Sequence, residues 1–395
     1  MEMKRALEGI KVLDLTAVLN GPFCTMILAD YGADVLKVEP PEGESGRGMA
    51  PLLKETGESA NHINWNRNKR SISLNLKEKK ARDLFYGLVK EADVLVENFK
   101  PGVTSRLGID YETIKKINPG IVYGSGSGFG QFGPLSHRPC YDGVAQAAGG
   151  IMSLTGYSDQ PPVKVGSSIA DHVTGIYLAT GILIALFHRE RTGEGQQVDV
   201  AMADSIFSIL ESAIVEYTFL GHTVQRNGNI DMTIAPFDTY ESKNGYVMMG
   251  AGSDPLFKKM ARALGRPDLL EDPRYRTNAL RCQNYEPGLK ELIQNWCREK
   301  TKEEIDEIMD QAGVPCSPVM NAKEVVESPQ MRARNMVVDH FHPALGKVRI
   351  QGSVMKLSQT PADIRKPAPA LGEDNAAVFG LTAEEVKQYK KEGIF

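Results

Sequence analysis

Ile10-Lys11-Val12-Leu13-Asp14-Leu15-Thr16-Ala17-Val18-Leu19-Asn20-Gly21-Pro22 opens as a short apolar run with β-branched residues and is punctuated by a Gly-Pro pair. Residues 23–31 then carry their apolar side chains on one helical face, and residues 34–39 return to an apolar run. A run of this length reads as a strand, and Gly-Pro marks the break between elements. Strand, helix and strand make a βαβ unit. The pattern continues: 71–76 alternates as a strand, 79–91 is an amphipathic helix, 94–96 is a buried strand, and 120–123 is the next. Such alternation predicts an α/β fold with a Rossmann-like, doubly wound parallel sheet.

Two helical stretches follow at 173–189 and 202–219, joined by Thr192-Gly193-Glu194-Gly195 and the strand-like 196–200. This first region is taken as a large domain over 1–220, and the Gly- and Asn-rich 221–235 as a linker. From Pro236 the texture changes to Phe237-Asp238-Thr239-Tyr240, the turn Lys243-Asn244-Gly245, and a strand at 246–249, followed by helical stretches. That predicts a second, smaller α+β domain at 236–313. Val314-Pro315-Cys316-Ser317-Pro318-Val319 begins a return segment over 314–347. The tail from 348 ends in a helix at 382–391, with Thr382 as N-cap and Glu385 completing a capping box.

With 395 residues, 42% hydrophobic and 24% charged, the chain has core enough for about two to three domain-sized units. Its 46 Lys and Arg against 50 Asp and Glu leave a net charge of -4. No global basic field exists to hold nucleic acid or an anionic membrane, so an anionic ligand must be met locally. The most apolar stretch, 173–187, is shorter than the ~20 residues of a membrane span and reads as a buried helix. The first eleven residues lack the apolar core of a signal peptide, and the five cysteines form no CxxC pair. Both observations point to the cytoplasm, without disulfides or structural zinc.

The βαβ start suggests a dinucleotide site, but its first turn offers only Gly21, not the three glycines that let a pyrophosphate approach. A literal GxGxxG occurs at Gly128-Phe129-Gly130-Gln131-Phe132-Gly133, yet Pro134 follows and no helical pattern opens there. It reads as a lining loop along which backbone approaches a ligand. Walker and GxSxG motifs are absent, and the seven His are scattered, so neither a metal nor a permanently bound cofactor is expected. What remains is cationic: Asn66-Arg67-Asn68-Lys69-Arg70-Ser71, then Glu97-Asn98-Phe99-Lys100-Pro101-Gly102, then Arg106. Loops beyond the C-terminal ends of doubly wound strands converge on a crevice, where Asn98, Phe99 and Arg106 could meet a phosphorylated adenine nucleotide. The alternative is a solvated charged loop. Asp171 opens the apolar helix and has two readings. One is an N-cap, worth about 0.5–2 kcal/mol; the other is a covalent nucleophile kept ionised by the helix N-terminus. Composition leaves both open.

Taken together, Leu7-Glu8-Gly9-Ile10-Lys11-Val12-Leu13-Asp14-Leu15-Thr16, Gly21-Pro22, Gly32-Ala33-Asp34-Val35-Leu36-Lys37-Val38-Glu39, Asn68-Lys69-Arg70-Ser71, Val96-Glu97-Asn98-Phe99 and Ala170-Asp171 resemble the landmarks of family III CoA-transferases, the CaiB/BaiF family. The resemblance implies a coenzyme A thioester as substrate, Asp171 as nucleophile, Asn98, Phe99 and Arg106 contacting CoA, and Lys69 and Arg70 near its phosphates. Tyr141-Asp142 is similar to a family pair near the thioester. Gly250-Ala251-Gly252 is similar to a mobile glycine loop over the active site, though shorter in glycine. Val18-Leu19-Asn20-Gly21-Pro22-Phe23 looks closer to acetyl-CoA:oxalate than to formyl-CoA members, which carry Gln where this chain has Leu19. The resemblance also implies that 348–395 completes the large domain and that two chains interlock as a ring-shaped homodimer. The expected activity is transfer of CoA between carboxylic acids through aspartyl anhydride and aspartyl-CoA thioester intermediates, with a small dicarboxylate as acceptor. An acyl-CoA racemase, using His172 with Asp171 as an acid/base pair, and a non-catalytic CoA-binding protein share the resemblance.

Overall fold

The computed structural model describes residues 5–343 and 345–395. The chain divides into two compact units, one of residues up to 152, 164–223 and 329–395, the other of 153–163 and 224–328. The crossings thus fall at 223/224 and 328/329, and residues 153–163 join the second unit, a contribution that nothing in the local sequence signals.

The first unit runs β1 (Lys11–Asp14), α1 (Asn20–Asp30), β2 (Asp34–Glu39), α2 (Ala60–Trp65), β3 (Arg70–Ser73), α3 (Lys79–Val89), β4 (Val94–Glu97), α4 (Val103–Leu107), α5 (Tyr111–Ile117), β5 (Val122–Ser127), α6 (Asp142–Ala148), α7 (Ile169–Thr192), β6 (Gln197–Ala201), α8 (Met202–Phe207) and α9 (Ser212–Leu220). Its six strands form one parallel sheet in the order β3-β2-β1-β4-β5-β6. Val12 of β1 lies between Val35 of β2 and Val94 of β4. Every residue of β4 is buried, the signature of a strand covered on both faces. Strand order reverses between β1 and β4. In open α/β sheets that switch point leaves a crevice beyond the strand ends, here between residues 15–19 and 98–102.

Two apolar layers cover the sheet. On one, Phe85, Leu95, Ile114 and Tyr123 pack with the chain's last residues, Ile394 and Phe395. On the other, Val12, Val35, Val94 and Val122 pack under α1 and α7 through Cys24, Leu28, Leu178 and Ile182. Gly175 lets those two helices touch, since a Cβ there would lie 2.7 Å from the Asn20 carbonyl oxygen. The tail secures the outer strand: Asp374 accepts from the Ser71 N–H at 2.8 Å and Asn375 from the Ser73 N–H at 2.9 Å. The capping box of Thr382 and Glu385 forms as expected.

Two helical expectations are corrected. The stretch read as 173–189 is 24 residues long, long and apolar enough to cross a membrane by length and composition alone. It is buried along one face only, and Ile176, Ile184 and Phe187 are exposed on the other. The stretch read as 202–219 is two helices, broken where Glu211 adopts φ +50°.

The second unit holds an antiparallel sheet of β7 (Phe237–Ser242), β8 (Gly245–Gly250) and β9 (Cys316–Pro318), in that order. Tyr240, Val247, Met249, Phe257, Met260 and Ile293 fill its core between sheet and helices.

Candidate active site

The crevice predicted by strand order is a cavity of about 270 Å³. Residues 17–20 after β1, 98–101 after β4 and 126–128 at the end of β5 form its wall, with Arg138, Cys140, Tyr141, Asp171 and Met202 completing it. The glycine loop beginning at Gly128 therefore lines the cavity and opens no helix.

Asp171 lies in the first turn of α7, three residues beyond the N-cap Ser168. The capping reading is thereby corrected. Asp142, the first residue of α6, takes that work, accepting from the Ala170 N–H at 2.9 Å. Its other oxygen accepts from Gln146 Nε2 at 2.6 Å. Asp171 is thus left for the cavity, where Asn20 Nδ2 donates to its Oδ1 at 3.1 Å. Burial, with a further push from Asp142, raises the Asp171 carboxyl to about 6, and hydrogen bonds from Asn20 pull the other way.

The wall beside it is held from below. Asn98 Oδ1 accepts from the Ala17 N–H and Asn98 Nδ2 donates to the Ala17 carbonyl, both at 2.8 Å. Nδ2 also donates to Asn20 Oδ1 at 2.9 Å. Val18 sits at φ +66°, a left-handed conformation costly for a β-branched residue. Glu44 accepts from its N–H at 3.2 Å. Burial acts to raise the Glu44 carboxyl, but the His62 hydrogen bond, Lys37 and the Gly46 N–H hold it at about 2. Lys37 Nζ donates to the Thr16 carbonyl at 2.7 Å. Glu97 accepts from the Phe99 N–H at 2.8 Å, pinning the next turn. A layer of buried charges thus fixes a strained loop.

Leu19, Asn98, Phe99, Tyr141 and Asp171 meet in the cavity, and Asp142 stands behind it through Ala170. Arg106 is exposed on α4, next to Leu107. Leu107 lines a second cavity of about 460 Å³ with Pro40, Glu42, Leu74, Asn75 and Lys77, and the two cavities share Ala17 and Phe99. Lys69 and Arg70 are placed elsewhere. Lys69 is fully buried, bonded to Asp14 at 2.9 Å, Asn66 Oδ1 at 2.8 Å and the Pro22 carbonyl at 3.1 Å. Arg70 pairs with Asp34 at 2.7 Å. Neither lines the cavity that holds Asp171. His172 turns away too: its Nδ1 meets the Ser168 carbonyl at 2.8 Å, and its ring packs on Phe23 and Trp65. Gly250 and Gly252 belong to the second unit, where they line an apolar cavity and the buried Arg281 donates to the Gly252 carbonyl at 2.6 Å. The sequence reading missed Asn20, Arg138 and Cys140. It also missed the wall from Leu74 to Lys77, because 74–76 reads as part of a strand that ends at Ser73. Among the described residues no group of three or more His, Cys, Asp or Glu is arranged to hold a metal.

A carboxylate in a crevice beside a bipartite groove suits attack on a long ligand's reactive end. The sequence profile of CoA-transferase family III matches residues 7–375. The chain belongs to CoA-transferase family III. It is 40% identical over 379 residues to the acetyl-CoA:oxalate CoA-transferase of Acetobacter aceti, covering 95% of each chain. Against the succinyl-CoA–D-citramalate CoA-transferase of Chloroflexus aurantiacus the identity is 36% over 393 residues, covering 97% of this chain and 96% of the relative. The crystal structure of a CaiB/BaiF family protein from Brucella suis superposes with a TM-score of 0.87 at 36% identity, over 95% of this chain and 99% of that one. The family III CoA-transferase is an enzyme acting between acyl-CoA thioesters and carboxylates, and its parallel six-stranded sheet is the family's fold.

Proposed function

We propose that this enzyme moves CoA from an acyl-CoA thioester to a small dicarboxylic acid through covalent intermediates on Asp171. The observation that carries the reading is the Asp171 carboxylate: it lines the cavity, is not used as a cap, and is held by Asn20. The carboxylate attacks the thioester carbonyl and expels CoA thiolate, giving a mixed anhydride. The thiolate attacks the Asp171 carbonyl carbon, releases the donor acid and leaves an aspartyl-CoA thioester. The acceptor acid repeats both steps in reverse. The adenosine end of CoA lies in the second cavity beside Lys77 and Leu107, with Arg106 the exposed cation next to Leu107 on α4, and its pantetheine arm passes Ala17 and Phe99, the residues common to both cavities. Tyr141 and Leu19 line the cavity beside Asp171 and help exclude water, which would hydrolyse each intermediate. Relatives named for oxalate and D-citramalate, both dicarboxylic, support a compact acceptor.

Racemisation is disfavoured because His172, the partner it needs, is packed between Phe23 and Trp65. We also place the enzyme in the cytoplasm as an interlocked homodimer. Exposed Ile176, Ile184 and Phe187 on α7, with Tyr217, Phe219 and Leu220 on α9, supply an apolar face that a second copy would cover.

The test is incubation with a panel of acyl-CoA donors and short dicarboxylic acids. Transfer of CoA to a new acid is expected, and donor alone should load the peptide containing Asp171 with the mass of CoA less water. Transfer that proceeds at a normal rate in Asp171→Asn rules the mechanism out.

A further inference from the structure

The orientation of two amides in the crevice is settled by the backbone. Asn98 Oδ1 takes the Ala17 N–H, so its Nδ2 must face the Ala17 carbonyl and Asn20. Asn20 must therefore present Oδ1 to Asn98 at 2.9 Å, which turns its own NH₂ toward Asp171 Oδ1 at 3.1 Å and Met202 Sδ at 3.3 Å. Asn20 is the first residue of α1 and only 7% exposed, so its side chain has little room to swing. Every polar atom of this relay has a protein partner, leaving the Asn98 amide no unmet need that CoA would fill.

We infer that Asn20 is a catalytic residue that stabilises charge on Asp171 Oδ1, and that Asn98 is the positioning residue that aims it. The inference rests on the covalent reading above. With Oδ1 held, Oδ2 attacks: it bonds to the thioester carbonyl carbon as the C–S bond breaks, and the electron pair leaves on the CoA thiolate. The thiolate then bonds to Cγ of Asp171. The electron pair of the Cγ–Oδ1 double bond moves onto Oδ1, and the resulting oxyanion lies against the Asn20 N–H. Collapse restores that double bond and expels the donor acid as a carboxylate carrying Oδ2. No proton is transferred and no co-reactant is needed. A donor already in place when the charge develops costs no reorganisation at that moment, and removing one such donor slows reactions about 10²–10³-fold.

The test follows loading of Asp171 in the full chain, using acetyl-CoA and succinyl-CoA as donors without acceptor and rapid-quench mass spectrometry of the Asp171 peptide. Asn20→Ala should slow loading about 10²–10³-fold, and Asn20→Ser, which keeps a donor, should recover part of it. Asn98→Ala should slow loading about tenfold with CoA affinity by calorimetry unchanged. The double variant should be no slower than Asn20→Ala alone, because Asn98 acts through Asn20. Should Asn20→Ala fail to fold, Asn20→Ser and Asn98→Ala carry the same comparison. Loading near the wild-type rate in a folded Asn20 variant would overturn the inference alone, as would multiplied losses in the double variant or weakened CoA binding by Asn98→Ala. A wild type that transfers CoA but never loads Asp171 overturns the covalent mechanism itself, and this inference with it.

Discussion

Asp171→Asn should make the folded protein more stable while it abolishes transfer. The carboxyl is raised from 3.8 to about 6, first by burial and then by the neighbouring Asp142, against the hydrogen bonds from Asn20. Between those two values the native state binds more protons than the unfolded chain, so stability falls as pH rises through the interval and stays lower above it. Two units at about 1.36 kcal/mol each set a ceiling of about 3 kcal/mol, and partial solvent access lowers it to about 1–3 kcal/mol at neutral pH. Asn removes the charge, fills the same volume and still accepts from Asn20. The melting temperature at pH 8 should therefore rise by roughly 1–4 °C at fixed protein concentration. By the same linkage the gain should roughly double between pH 5 and pH 8. Thermal and urea unfolding of both proteins across that range measure it. A substitution that is neutral or destabilising at pH 8, with no pH dependence, would show that the carboxylate is not held against its will and would refute the electrostatic account of the site.

The same shift fixes the acid limb of catalysis. On the proposed covalent route Asp171 must be ionised to attack, so kcat/KM for the donor should fall about tenfold per pH unit below about 6. A limb near pH 4 in steady-state profiles would contradict it. Lys69 offers the complementary test, because burial holds its ammonium down to about 8 against the pull of Asp14. Lys69→Met strands a buried carboxylate and should cost about 3–5 kcal/mol, or roughly 4–6 °C in melting temperature, with CoA affinity by calorimetry within about twofold of wild type. A protein of normal stability that binds CoA tenfold more weakly would instead make Lys69 a phosphate ligand.

What was legible in the sequence and what was not divide along one physical line. Strands covered on both faces carry short apolar runs at their centres, so Lys11–Asp14, Asp34–Glu39 and Val94–Glu97 announce themselves through Val12-Leu13, Val35-Leu36 and Val94-Leu95-Val96, and their alternation with helices brings the crevice along. A side chain's task depends on partners the local window does not contain. Lys69 is cationic in a polar loop and the family resemblance sets it near CoA phosphates, but its carboxylate partner is Asp14, 55 positions earlier. Asp171 reads equally as a cap or a nucleophile because it opens a helix, and what separates the two is Asp142, 28 positions before Ala170, which supplies the bond that capping requires. The apolar periodicity of α7 is the same whether its outer face meets this chain or a second copy. Asn20 is the sharpest case. It is a small polar residue beside Gly21-Pro22, with nothing in its neighbourhood to set it apart from a turn residue. Its chemistry is created by Asn98, 78 positions away, and Asp171, 151 away. The sheet's switch point is what brings all three together. The alternation of strand and helix is legible from runs and breaks, but the strand order that determines where such relays form, and which atoms of the amides face the carboxylate, belong to the folded backbone.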